Sequence, residues 1–147
     1  LAKRRVVRTY DGLDAAVYSV DVGPKGRFVA AGDNNGKAVV WELATGEFLG
    51  NLTGHTGRPE KPGGVWSATF QKGSAEYLVT ADYSGLIIVW DIRGLRDGKG
   101  AVESRRWKMG GTGSLVSSPS GKTFFFTQEC GSQTKTRTTV LPFGRDS

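Results

Sequence analysis

Apolar and polar residues alternate in short runs along the chain, and turn residues separate the runs. Residues 17–22 (VYSVDV) have period two, and the pair Asn35-Gly36 stands between two further apolar runs. Period two is typical of a strand with one buried face, and Asn-Gly is a strong hairpin signal. The pattern therefore predicts four short antiparallel strands, at residues 17–22, 27–32, 37–43 and 47–52.

The same order of strands and turns returns further along the chain. The run at 86–90 (LIIVW) is almost wholly apolar, which predicts a strand that is covered on both faces. The predicted strands of this second copy are residues 65–70, 76–81, 86–92 and 104–109. A third, degraded copy predicts a strand and its turn at 114–121 and strands at 123–127 and 137–141. Residues 6–10 alternate weakly and predict one more strand before the first copy.

Two sequence motifs recur at a fixed distance. Val17-Tyr18-Ser19-Val20 returns 48 positions later as Val65-Trp66-Ser67-Ala68, and Val40-Trp41-Glu42-Leu43 returns 49 positions later as Val89-Trp90-Asp91-Ile92. A constant period of this size indicates one supersecondary unit that is used several times.

The repeated unit resembles the WD-repeat β-propeller family. The residues that carry the resemblance are Gly54-His55, 65–70, Leu78-Val79-Thr80, Ser84-Gly85 and Val89-Trp90-Asp91. It implies an all-β fold, a partial β-propeller with roughly three blades of four-stranded antiparallel sheet. A closed propeller needs about four to eight blades, so we expect an arc of a longer propeller or an arc that pairs with another.

The resemblance also implies a domain organisation. Residues 1–147 are expected to form a single propeller segment, with repeats at about 14–53, 64–109 and 114–143 and a tail at 144–147. Residues 6–10 are expected to be the fourth strand of a preceding blade, because sequence repeats in this family are out of phase with the blades.

A buried hydrogen-bond relay is a further implication of the resemblance. In the second repeat its members would be His55, Thr80, Ser84 and Trp90, with Ser84 at a position where the family prefers Asp. The corresponding residues of the first repeat are Leu13, Ala31, Asn35 and Trp41, of which only the Trp matches the family in type. We therefore expect the first repeat to depend on packing.

Composition and charge limit the kinds of partner and compartment that the chain can have. The net charge of +6 permits contact with anionic partners, but the basic residues are scattered along the chain. The single cysteine, Cys130, leaves no intrachain disulfide framework and favours a reducing, intracellular compartment, cytoplasmic or nuclear. No apolar run approaches the ~20 residues of a membrane span. The first residue is Leu, so we expect an internal start.

Catalytic and metal-binding patterns are not found in the sequence. His55 is the only histidine and has no Cys, His or carboxylate cluster at ligand spacing around it. Gly110-Gly111-Thr112-Gly113 lacks the Lys and Ser/Thr of a phosphate-binding loop. We therefore expect no enzyme activity, no cofactor, no metal and no small-molecule substrate. An enzyme would need an active site supplied by blades outside this chain.

Two groups of residues are candidates for partner binding. Arg58 and Lys61 lie in an insertion that precedes the strand at 65–70. Arg105, Arg106 and Trp107 lie on an outer strand, where the Trp either stacks on a base or an acidic peptide, or packs into the core.

The leading hypothesis is a non-catalytic protein–protein interaction scaffold within a larger protein or multi-subunit complex. Its expected partners are other proteins, either the remaining propeller blades or complex subunits, and no membrane. The alternative is a basic propeller component of an RNA-containing particle, such as a ribosome or an RNA-processing complex.

Overall fold

The described part of the chain forms three antiparallel β-sheets, as the sequence predicts for a partial propeller. The computed structural model describes residues 4–55, 64–73, 76–110, 113–130 and 135–143. Within these residues the sheets have four, four and three strands, and each sheet follows chain order, so neighbouring strands are joined by hairpins. The fold class is therefore confirmed, and the three sheets do not close into a ring.

Each sheet is one blade, and its strands are numbered in chain order. Blade 1 contains β1 (Val17–Val22), β2 (Phe28–Asp33), β3 (Ala38–Glu42) and β4 (Phe48–Leu52). Blade 2 contains β5 (Val65–Phe70), β6 (Tyr77–Asp82), β7 (Leu86–Asp91) and β8 (Val102–Lys108). Blade 3 contains β9 (Gly113–Ser117), β10 (Thr123–Cys130) and β11 (Lys135–Pro142). Short 3₁₀ turns lie at Pro24–Gly26 and Leu95–Asp97.

The segment at residues 6–10 differs from its prediction. It has irregular backbone and forms no strand, and Val6 and Val7 are 78% and 86% exposed. The physical reason is that a strand needs a hydrogen-bonded neighbour, and among the described residues the strands of blade 1 pair only with one another. The predicted tail at 144–147 lies outside the described residues.

The first two blades share a hydrophobic core. Blade 1 contributes alternate residues of β2, such as Phe28 and Ala30, and blade 2 contributes Leu78, Ile88 and Trp90 from β6 and β7. Phe28 and Phe70 stack across this interface with ring centroids 6.4 Å apart. Because successive side chains of a strand point to opposite faces, the other half of each blade's apolar residues faces away from this core.

A second core joins blades 2 and 3. Ile87 and Val89 of β7 lie against Phe124 and Phe126 of β10, all of them fully buried. The apolar run at 86–90 therefore lies between two blades, which explains why it lacks the alternation of a half-exposed strand.

Blades 1 and 2 lie close together at Gly32. A Cβ atom at this position would overlap the side chain of Val65 on the innermost strand of blade 2. Glycine is required here because the next blade occupies the space in which any side chain would lie.

Candidate functional site

A buried hydrogen-bond relay lies on the face of blade 2 that contacts blade 1. His55 Nδ1 is 2.8 Å from Asp82 Oδ2, and His55 Nε2 is 2.6 Å from Thr80 Oγ1. Trp90 donates its indole N–H to the same hydroxyl of Thr80 at 2.8 Å. All four side chains are at most 4% exposed, so their polar atoms depend on one another and not on water.

The relay satisfies each polar group when His55 is neutral with its proton on Nδ1. Thr80 then accepts from Trp90 and donates its hydroxyl hydrogen to Nε2, while Nδ1–H donates to the Asp82 carboxylate. Such a closed chain fixes β6, β7 and the segment before β5 relative to one another. All four side chains of this relay are buried within the blade.

The acid of the relay is Asp82 and not the residue at position 84. Asp82 Oδ1 accepts from the backbone N–H of Ser84, from the Ser84 hydroxyl at 2.6 Å and from the backbone N–H of Leu86. Assigning the acid position to Ser84 was therefore wrong by two residues. The signal was present in the sequence, since an Asp two positions before Ser-Gly can accept from the turn backbone as an Asx-turn.

The Asp82 carboxyl has a pKa below its ordinary value of 3.8. Burial raises the pKa, but the hydrogen bonds from His55 and Ser84, the attraction of His55 and the Leu86 N–H together outweigh it. A lowered folded-state pKa adds stability above about pH 4 that is lost as the pH falls through the folded-state pKa.

We expect Asp82→Asn to flatten the fall in unfolding free energy between pH 6 and pH 2.5 in urea titrations. A fall as steep as in the parent chain would contradict this.

Blade 1 replaces the relay with backbone contacts from residues 8–14. Ala31 stands where blade 2 has Thr80, so Trp41 donates its indole N–H to the Asp11 carbonyl at 2.8 Å. Tyr10 donates its hydroxyl to the Leu43 carbonyl and packs on Trp41 with ring centroids 5.7 Å apart. The expectation that this repeat relies on packing holds only in part, because the Trp still has a hydrogen-bond acceptor.

Asp33 is the blade 1 counterpart of Asp82. The sequence predicted Asn35 at this position of the relay. Asp33 Oδ1 accepts from the backbone N–H groups of Asn35 and Lys37. Its Oδ2 is buried without a hydrogen-bond partner, and Leu13 packs on this face of the blade where blade 2 has His55. An unpaired buried oxygen destabilises the blade.

Restoring the missing partners should stabilise blade 1. We expect Leu13→His combined with Ala31→Thr to raise the unfolding free energy by about 1 kcal/mol, because Asp33 gains a donor and the new hydroxyl gives the other ring nitrogen of the His a partner, while Trp41 keeps the Asp11 carbonyl. Each single change should be neutral or unfavourable, so the two changes should couple in a double-mutant cycle measured by urea denaturation. Additive single effects would show that the pair forms no relay.

The residues that the sequence proposes as partner contacts lie in different surroundings. Arg58 and Lys61 lie outside the described residues. Trp107 is half-buried and meets Phe124 edge to face at 5.9 Å, so its ring belongs to the core between blades 2 and 3. Arg106 makes a two-point ion pair with Glu103. The structure therefore does not bring the Arg105, Arg106 and Trp107 side chains together as one exposed surface.

An exposed cluster of three aromatic side chains was missed by sequence reasoning. Tyr18, Trp66 and Tyr83 are 42%, 37% and 39% exposed, and their ring centroids are 5.0 to 6.0 Å apart. Tyr18 is on β1, Trp66 on β5 and Tyr83 in the turn after β6, so the aromatic cluster spans blades 1 and 2. Partial burial and the neighbouring Tyr18 raise the pKa of Tyr83 above 10.0.

The outer faces of blades 1 and 3 also expose apolar side chains. On blade 1, Val20 and Val22 pair with Ala31 and Val29 and share the face opposite to blade 2. On blade 3, Val116 and Val140 both pair with Phe125 on the face opposite to blade 2. We call these two faces the flanks.

No group of three or more His, Cys, Asp or Glu side chains that could hold a metal occurs in the described part of the chain. A cleft of about 410 Å³ lies at the ends of β1, β5 and β9, and its carboxylate, Asp21, already accepts from the Phe70 N–H and the Thr69 hydroxyl. Among the same residues, no helix is long and apolar enough to cross a membrane.

Known proteins share this architecture. Residues 4–42 match the family described as WD40, "WD domain, G-beta repeat". Similar solved structures include the β-propeller domain of Myceliophteria thermophila Cps50 (Swd1), with a TM-score of 0.64 and 22% identity. They also include U3-55K, with a TM-score of 0.72 and 14% identity, and Saccharomyces cerevisiae Sqt1, with a TM-score of 0.63 and 21% identity.

These alignments cover most of this chain but less than half of each relative. They include 93%, 90% and 86% of the chain and 42%, 44% and 35% of the respective structures. The matched repeat at 4–42, the blade topology and these likenesses confirm the recognition made from the sequence motifs. Residues 4–42 match a WD repeat, and the described residues have the fold of three β-propeller blades.

Proposed function

We propose that the chain is a non-catalytic protein–protein interaction scaffold that acts within a larger protein or a multi-subunit complex. The observation that carries this proposal is the pair of apolar flanks. Val20 and Val22 are 66% and 52% exposed, and Val116 and Val140 are 57% and 54% exposed. Side chains on the opposite face of the same blades are buried against blade 2, so the flanks are blade-packing faces without a blade.

The edge of blade 3 supports the same proposal. Blades 1 and 2 have four strands each, whereas in blade 3 the described residues form three, with β11 at the edge. An unpaired edge strand offers its backbone N–H and C=O groups to another strand. Further blades, from the same polypeptide or from another subunit, would cover both the flanks and this edge.

The isolated 147-residue chain should therefore not behave as an inert monomer. We expect light scattering after size exclusion to give a particle larger than the 15.8 kDa chain, or a monomer that binds a hydrophobic dye. Val20→Ser together with Val116→Ser should reduce the association or the dye binding. Val102→Ser is the matched control, because Val102 is 62% exposed on an outermost strand and not on a flank. A monomer without dye binding would contradict the proposal.

The RNA-particle alternative has less support from the described residues. Its main motif places Trp107 in the core and pairs Arg106 with Glu103, so the two side chains do not form one exposed stacking surface. The net charge of +6 remains in its favour. Arg58 and Lys61 remain proposed partner contacts on sequence grounds alone.

A further inference from the structure

Two of the chain's four tyrosines are neighbours in the aromatic cluster. The rings of Tyr18 and Tyr83 meet edge to face with their centroids 6.0 Å apart. Partial burial, the charge of Tyr18 and a hydrogen bond with Tyr18 raise the pKa of Tyr83 above 10.0, which places the two phenol oxygens next to each other. The ring carbons ortho to these oxygens are therefore also close together. Tyr10 packs on Trp41 and Tyr77 lies beside Arg93, so both are elsewhere in the fold.

The backbone holds both members of this tyrosine pair in place. Tyr18 is the extra residue of a β-bulge, because the pairing register of β1 with β2 shifts between Val17 and Ser19. Tyr83 lies in the turn after β6, and its backbone N–H donates to the Gly64 carbonyl at 3.1 Å. The two side chains are 42% and 39% exposed, so their rings are accessible from solvent and can change rotamer within nanoseconds.

Two phenols in this arrangement can be joined by oxidation. A haem peroxidase with hydrogen peroxide takes one electron and the hydroxyl proton from each phenol. The two phenoxyl radicals then form a carbon–carbon bond between ortho carbons, and the hydrogens on these carbons move to the phenol oxygens. In balance, two phenols and one hydrogen peroxide give one dityrosine and two waters. Groups that the fold holds side by side react much faster than groups that must first meet in solution.

From these observations we infer that Tyr18 and Tyr83 are an oxidative cross-linking site, at which a haem peroxidase and hydrogen peroxide convert the pair into an intramolecular dityrosine. The new bond joins β1 of blade 1 to the turn after β6 of blade 2, so it locks the two blades together. The coupling step involves neither flank, so it does not depend on how the propeller is completed.

Trp66 is the third ring of the aromatic cluster and contacts both tyrosines. Its ring centroid is 5.4 Å from that of Tyr18 and 5.0 Å from that of Tyr83. An indole can also lose an electron to the peroxidase, and ring contact then lets the indole radical take an electron from either tyrosine. Oxidation that begins at Trp66 therefore still leads to the tyrosine pair. The competing product is oxygen addition to the Trp66 ring.

Peroxidase treatment of the 147-residue chain tests this inference. Cys130 is alkylated first, so that no disulfide forms between chains. We expect a product that runs as a monomer on a denaturing gel, has lost two hydrogen atoms by mass spectrometry and shows the blue fluorescence of dityrosine. Digestion with trypsin should release one cross-linked peptide pair that contains Tyr18 and Tyr83. The midpoint of urea denaturation should move to a higher urea concentration, because the cross-link restricts the unfolded chain.

Matched variants separate the tyrosine pair from general oxidation. Tyr18→Phe and Tyr83→Phe keep the rings and remove one phenol oxygen each, so each should abolish the cross-linked peptide pair. Tyr77→Phe is the control, because Tyr77 is half-buried on β6 outside the aromatic cluster, and it should leave the yield unchanged. Treatment of the chain unfolded in urea should lower the yield at least tenfold, since the two phenols are then no longer held together. A cross-link that persists in both Phe variants of the pair, no dityrosine at all, or oxygen addition to Trp66 without a cross-link would overturn the inference.

A second experiment excludes coupling between different chains. Val20→Ser with Val116→Ser weakens association through the flanks and should give the same yield of intramolecular cross-link as the parent chain. Covalent dimers in the parent chain that are lost in this variant, with no cross-link inside one chain, would overturn the inference and leave the scaffold proposal intact. An intramolecular cross-link in a chain that neither associates nor binds dye would support the inference although the scaffold proposal fails.

Discussion

Trp90→Ala is expected to lower the unfolding free energy by about 3–5 kcal/mol, the cost of removing a large aromatic side chain from a packed core. Trp90 is 4% exposed and belongs to the core that joins blades 1 and 2. Its removal leaves a cavity between the blades and also takes away the indole N–H that binds Thr80. Both effects have the same sign, so the blade interface should be weakened together with blade 2.

Urea denaturation followed by circular dichroism would measure this loss. Trp90→Phe is the informative second variant, since it keeps most of the ring volume and removes only the hydrogen bond to Thr80. We expect it to cost much less than the Ala variant. If Trp90→Ala unfolds at the same urea concentration as the parent chain, blade 2 does not have the core described above.

The second large effect is expected at Asp82. Replacing Asp82 with Ala should cost about 3 kcal/mol, because it removes a buried carboxylate and leaves several buried donors without an acceptor. The carboxylate accepts from His55 with one oxygen and from the turn at Ser84 and Leu86 with the other. Without it, a buried His and the backbone of the β6–β7 turn lose their acceptor together.

Asp33→Ala in blade 1 is the matched control for Asp82→Ala. Asp33 has the same place in its turn, but its second oxygen is buried without a partner. We therefore expect a clearly smaller loss there. His55→Ala should fall between the two, at about 1–3 kcal/mol, because Asp82 Oδ2 and the Thr80 hydroxyl hydrogen lose their partner while the turn contacts remain. Equal losses for Asp82→Ala and Asp33→Ala would show that the relay adds nothing beyond the turn.

Much of the fold follows from local sequence. The alternation in β1, the Asn35-Gly36 pair and the apolar run at 86–90 correspond to strands and hairpins at nearly the predicted positions. The prediction fails at residues 6–10, whose alternation is equally strand-like. A strand is stabilised by its neighbours, so a local pattern is insufficient where the described residues place no strand beside it.

The family motif predicted the hydrogen-bond relay but assigned its acidic position to the wrong residue. His55, Thr80 and Trp90 were placed from the family pattern, and the structure joins their side chains in one hydrogen-bonded chain. The acid was assigned to Ser84, whereas Asp82 supplies it. The sequence contains both residues, but only the geometry of the turn decides which oxygen reaches His55.

The sequence by itself determined the repeated four-stranded unit, its hairpins and the apolar residues that pack one blade on the next, because these depend on period and on neighbours within one blade. Only the tertiary structure decided that Trp107 points into a core and that residues 8–14 supply the Trp41 acceptor. It also decided that two bulges turn Tyr18 and Trp66 outward. The direction of a side chain at a bulge is set by the pairing register between strands and by contact between blades, and neither is contained in the local pattern.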